Sequence, residues 1–209
     1  MVNKSQKRGL TMEKISRKSV SKSGGFIPQA VWIIGSCNKD TSPNFCTITS
    51  VSYTPGPPES LIVSMQAKRT KENILCTGEF TANLCTVEMV HLVDFVGSVS
   101  GQESKKDALS FNCNWGEKIH APVLDASPYV IECKVFQTHL VGNTITFIAE
   151  MVNQQIDIKF GQPNNDSYEA YIAWLNTNDL LDLDPILYAW NYYGIGKKIG
   201  RVGDFIPKQ

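Results

Sequence analysis

The stretch "NFCTITSVSYTPGPPESLIVSM", residues 44–65, holds two runs of β-forming residues around a proline-rich bend. Phe, Ile, Val, Thr and Tyr suit a pleated backbone, whereas "TPGPPE" cannot continue a ladder because proline has no amide to donate. The pattern predicts strands over 45–53 and 60–66. The first carries hydroxyls at Thr47, Thr49, Ser50 and Ser52, where a strand sealed in a core would place apolar groups. One of its faces is therefore polar, turned to solvent or to a ligand.

Outward from this pair the β-character persists. "AVWIIGS" (30–36) is an apolar run too short for a buried helix and rich in β-formers, which predicts a central strand. After residue 66, Thr70 fits a helix N-cap, 71–77 a short helix and Gly78 its stop. "EFTANLCT" (79–86) resumes β-structure. Thr86 then caps a second helix, with Met89, Val90, Leu92, Val93 and Val96 on one face. Residues 96–122 are loop-rich, with one helical turn expected near 104–110. "YVIECKVFQTHL" and "TITFIAEMVNQQI" around "VGN" give the strongest hairpin signal of the chain. Residues 162–184 are polar and acidic, and the chain closes with "LYAWNYYGIGKKIGRVGDF", an aromatic and basic tail punctuated by glycine. Many strands with few short helices argue for a mainly β barrel, not a parallel sheet with regular crossovers.

Composition narrows the function. A chain of 209 residues with 42% hydrophobic content can bury one sizeable core. Lys plus Arg and Asp plus Glu each number 20, so no overall field favours nucleic acid or an anionic membrane as partner. Residues 1–24 are basic (Lys4, Lys7, Arg8, Lys14, Arg17, Lys18, Lys22 against Glu13) and poor in apolar groups, which predicts a disordered leader ahead of one domain over 25–209. The leader has no apolar segment of a secretory signal, and no apolar run approaches a membrane span. Six cysteines without a C-x-x-C unit fit reduced thiols, and His91, His120 and His139 stand apart, so no metal site is expected and a cytoplasmic location is.

The motifs of dinucleotide folds, phosphate-binding loops, hydrolase elbows and zinc peptidases are absent. What remains is the hydroxyl strand and the segment "SMQAKRTKEN" (64–73), where Lys68, Arg69 and Lys71 surround a helix start. Unpaired amides and the positive end of the helix dipole favour phosphate there. The same residues also fit an ordinary capped helix with solvated basic side chains.

The order "PNFCTITS" (43–50), Pro57-Pro58, Arg69-Thr70 ahead of a helix ending G-E-F, "ANLCT", a helix running to "VGSVSG", and the tail "YYGIGKKIG" resembles the flavin reductase-like family, flavoredoxin in particular, from about Pro28 to Gly200. The resemblance implies an FMN-binding split β-barrel, usually a homodimer with flavin near the subunit interface. It implies that Thr47, Thr49 and Ser50 line the isoalloxazine edge, and that Ser64, Arg69 and Thr70, with Lys68 or Lys71, hold the phosphate. Asn83 and Leu84 would flank the ring, and Ser100 and Gly101 would border the pocket. Gln102 departs from the arginine that many relatives carry after Ser-Gly. The implied activity is electron transfer through FMN from NAD(P)H or a protein donor to an acceptor. The alternative is a flavin-binding carrier without nicotinamide turnover.

Overall fold

The computed structural model describes residues 15–17, 19, 27–66, 68–98, 112–160, 170, 174, 185–188 and 191–194. Strands β1 (Gln29–Ala30), β2 (Trp32–Cys37), β3 (Pro43–Ile48), β4 (Val51–Thr54) and β5 (Ser60–Met65) lead into helix α1 (Lys68–Thr77). Then come β6 (Glu79–Leu84), a 3₁₀ turn (Val87–Met89), helix α2 (Val90–Ser98), β7 (Cys113–Trp115) and β8 (Pro122–Leu124). The hairpin β9 (Tyr129–Val141) and β10 (Thr144–Ile156) follows, with β11 (Pro185–Tyr188) and β12 (Asn191–Gly194) towards the end.

Seven strands form one antiparallel sheet in the order β3-β2-β6-β9-β10-β5-β4. Its two edges, β3 and β4, are consecutive in the chain and separated only by Thr49 and Ser50. At that link, the seam of the sheet, the Ser64 amide donates to the Ser50 carbonyl at 2.9 Å, one step beyond the β4–β5 register. The sheet is curled into a split barrel. Period-2 alternation turns Ile34, Val63, Phe80, Ala82, Cys133 and Phe147 inward, where all are fully buried. Burying Phe80 and Phe147 contributes about 2–3 kcal/mol each. The opposite face of β2 and β3 carries Ile33 and Phe45, which pack with Met89, Val93 and Val96 of the α2 region, the apolar stripe predicted for that helix.

Two glycines are required by geometry. Gly142 opens the two-residue turn of the β9–β10 hairpin at φ +58°, in the left-handed region that such a turn needs of its first central residue. At Gly35 a Cβ would collide with the Pro122 carbonyl and the Thr81 hydroxyl, so its absence lets the β7–β8 arm lie against β2.

Five features differ from the sequence expectations. The strand expected over 45–53 is two strands, because the chain changes sheet edge at Thr49–Ser50. Helix α1 starts at Lys68, so Thr70 is its third residue and not its cap. Thr86 does stand before the second helical segment, but its side chain makes no capping hydrogen bond. Within the loop-rich stretch the β7–β8 arm forms, and the tail holds the β11–β12 hairpin, which pairs with β1 through Ala30 and Ile186. The helical turn expected at 104–110 lies outside the described residues, as does the leader apart from residues 15–17 and 19. All six cysteines are free. Among the described residues, no helix is long and apolar enough to cross a membrane, and no group of three His, Cys, Asp or Glu is arranged to hold a metal.

Candidate functional site

Position on the curled sheet decides what each polar residue does. Thr47, Ile33 and Asn83 sit side by side across β3, β2 and β6, and Ile48, Trp32 and Leu84 form the next row. The first row faces outward. There the Thr47 hydroxyl donates to the Val93 carbonyl of α2. Asn83, with no exposed surface, donates to the Ile33 carbonyl and Thr81 Oγ1, both at 3.0 Å, and accepts from the Leu124 amide at 2.9 Å. Each side chain is thus committed to fastening a cover, α2 or β8, onto the sheet. Leu84 is nearly buried, and its carbonyl accepts from the Ser127 hydroxyl.

The seam is different. Half-buried Thr49 donates to Gln29 Oε1 at 3.0 Å, which ties the seam to β1 and through it to the β11–β12 hairpin. Ser50 is exposed, and among the described residues its carbonyl alone is tied, by Ser64. The Ser64 hydroxyl shares a 2.8 Å hydrogen bond with Thr146 on β10. Thr49, Ser50 and Ser64 are therefore brought together at one point where the barrel wall changes strand, and the Ser50 side chain is open there.

Helix α1 begins three residues after β5 ends. Its first turn holds no acidic residue. Arg69, half-buried, lines an open cleft of about 610 Å³ with Lys39, Asp40, Glu72, Asn73 and Cys76. Asp40 is held below the usual carboxylate range, first by the Ser42 hydroxyl and amide, which donate at 2.6 and 3.1 Å, and further by the nearby Arg69 guanidinium. Thr70 turns the other way. It is 2% exposed and accepts from Asn44 Nδ2 at 2.9 Å, within a buried network in which Asn44 and Asn73 both donate to Ser36 Oγ. That network docks α1 onto β2 and β3. Lys71 is half-buried; of Lys68 only the backbone is described, and Ser100 and Gly101 lie outside the described residues.

Sequence reasoning missed a heavily hydrogen-bonded group among the described residues. Glu132, with no exposed surface, accepts from the amides of Glu117, Lys118 and Ile119 at 3.1, 2.8 and 3.2 Å and from Asn153 Nδ2 and Gln155 Nε2 at 2.7 and 2.8 Å. Burial alone pushes its pKa up, but these donors together outweigh burial and hold the carboxyl below the usual glutamate range. A charge inside the apolar run "YVIECKV" was the available signal.

Thr49 and Ser50 supply hydroxyls at the seam, Arg69 a cation at a helix start, and Trp32 an apolar surface packed on the barrel core. Comparison with known proteins identifies the family and the fold. Residues 24–171 match the family model described as a flavin reductase like domain. The fold superposes on flavoredoxin from Methanosarcina acetivorans with TM-score 0.73 and 22% identity, covering 90% of this chain and 97% of that one. Flavoredoxin of Desulfovibrio vulgaris (Miyazaki F) gives 0.72 and 24%, covering 91% and 99%. An FMN-binding protein from Thermus thermophilus gives 0.65 and 18%, covering 87% and 94%. Among curated proteins, none matches the sequence.

Proposed function

The chain belongs to the flavin reductase-like family, and from that premise we propose that it is an FMN-binding oxidoreductase that passes electrons from NAD(P)H or a protein donor to an acceptor. The observation that carries this reading is the seam, where the two-residue link Thr49–Ser50 between the sheet edges stands beside Ser64 and gathers three hydroxyls. Bound flavin would supply hydride and electron chemistry, so the protein needs no acid or base of its own. Ser50, with Thr49 as an acceptor beside its bond to Gln29, would satisfy the polar edge of the ring, which loses water on binding, and Trp32 would cover its apolar end. Arg69 would neutralise the phosphate, with Lys68 or Lys71 adding positive field beside the α1 N-terminus. Thr47, Thr70 and Asn83 would act by shaping the backbone around the ligand, since their side chains already have partners. Leu84, Ser100 and Gly101 would border the pocket. A homodimer in the cytoplasm completes the proposal.

The likeness to two flavoredoxins supports a second reading, a carrier that exchanges electrons with proteins and does not use nicotinamide. One experiment separates the two. Anaerobic titration of the FMN-loaded protein with NADH and NADPH should bleach the flavin in the first case. Bleaching only by dithionite or a reduced protein selects the carrier, and a colourless protein that takes up no FMN removes both.

A further inference from the structure

The chain leaves the small sheet at β1, where Gln29 stands opposite Leu187 of β11, and enters the large sheet at Trp32, which with Ile48 forms the last pair between β2 and β3. Past that pair the two segments are joined by side chains. The Thr49 hydroxyl donates to Gln29 Oε1 at 3.0 Å, and both residues are half-buried. A threonine hydroxyl has one proton to give and two lone pairs that receive. Gln29 takes the proton. Thr49 therefore meets any ligand in the seam as an acceptor alone, and no described residue donates to it. Its neighbours complete the pattern. Gln29 Nε2 and the Ser50 hydroxyl have no partner among the described residues, and both have a proton to give.

We infer that Gln29 is a positioning residue, which turns the Thr49 hydroxyl so that it selects a ring N–H, the N3–H of flavin. The inference rests on the flavin reading above and adds how the ring edge is recognised. The oxidised isoalloxazine carries a single N–H, at N3, between the carbonyl oxygens O2 and O4. That edge alternates acceptor, donor, acceptor. An oxygen that only accepts suits its middle and is wrong for either carbonyl, which leaves the carbonyls to Gln29 Nε2 and the Ser50 hydroxyl. Without Gln29 the Thr49 proton turns freely, and the hydroxyl no longer distinguishes the N–H from the oxygens beside it.

Ionisation of N3 reads this arrangement. An acceptor with no proton to give favours the neutral imide and disfavours its anion. The FMN-loaded full chain is jumped to a series of alkaline pH values, and the flavin spectrum is recorded before the chain can unfold. In the wild type N3 should lose its proton about one pH unit above free FMN. Gln29→Leu frees the Thr49 proton to turn onto the anion and should lower the midpoint by about the same amount. Gln29→Glu, which only accepts, should keep it raised. In a Thr49→Val background Gln29→Leu should leave the midpoint where it is, because the group through which Gln29 acts is gone. A Gln29→Leu midpoint equal to that of the wild type overturns the inference, as does a Gln29→Glu midpoint that falls. An equal fall with and without the Thr49 hydroxyl also overturns it, and marks Gln29 as a fastening for β1 only. A chain that takes up no FMN ends the flavin reading and this inference together, whereas bound FMN whose N3 ionises as in free FMN ends this inference alone.

Discussion

The Thr47 hydroxyl on β3 donates to the Val93 carbonyl within α2, and so fixes a helix to the outside of the barrel. A residue that resemblance places at the flavin edge thus has its side chain engaged elsewhere. Thr47→Val keeps the shape and removes one donor, and should cost about 1 kcal/mol in urea unfolding while leaving FMN affinity within about twofold. A large loss of affinity at unchanged stability would show that the hydroxyl serves the ligand.

Arg69 separates phosphate recognition from ring recognition. Arg69→Ala should weaken FMN binding about tenfold, or 1.4 kcal/mol, and leave riboflavin binding unaltered. Fluorescence titration with both flavins checks it; equal losses for the two would remove the phosphate contact. Asp40 draws on the same guanidinium, so Asp40→Asn should tighten FMN binding, with the Asn oxygen still able to accept from Ser42.

Glu132 ties acid stability to the loop it holds. Its carboxyl titrates lower in the folded chain than in the unfolded one, where the reference value is about 4.3. The stabilisation is therefore complete above about pH 4.3 and is lost as pH falls through the folded value. Glu132→Gln should cost about 2–4 kcal/mol at neutral pH, because its amide faces donors that need an acceptor. The gap from wild type should shrink towards pH 3; a gap that stays constant would mean the charge contributes nothing.

Gly35→Ala should be among the most damaging single-methyl changes. The added carbon meets backbone at Pro122, which cannot move without lifting the β7–β8 arm, and overpacking of this kind costs about 3 kcal/mol or more. Thermal unfolding measures the cost; a melting temperature within a few degrees of wild type would mean that the arm is free to shift.

What the sequence made legible was whatever obeys a short period. Trp32–Cys37, Ser60–Met65 and the long hairpin stand where alternation and turn residues put them, since burial of one face fixes both register and direction. The break at Thr49–Ser50 was not legible, because β-formers continue straight through it and only the curled sheet requires an edge change there. The committed side chains were hidden for a related reason. Thr47, Thr70 and Asn83 bond to residues 46, 26 and 41 positions away, so no local pattern distinguishes them from ligand donors. Glu132 looked like an ordinary charge because its partners are amides of a loop with no signature of its own.

The two-residue link between β3 and β4 acts as a mechanical tether. Laid flat, a seven-stranded sheet holds its edges about 29 Å apart. From Ile48 to Val51 the backbone can span only about 11 Å even when fully extended. The sheet cannot flatten without breaking its hydrogen bonds, so its curvature is enforced by the covalent chain before any side chain packs. Lengthening that link would relax the constraint, and the same two residues, Thr49 and Ser50, would then no longer be held at the junction of the two edges.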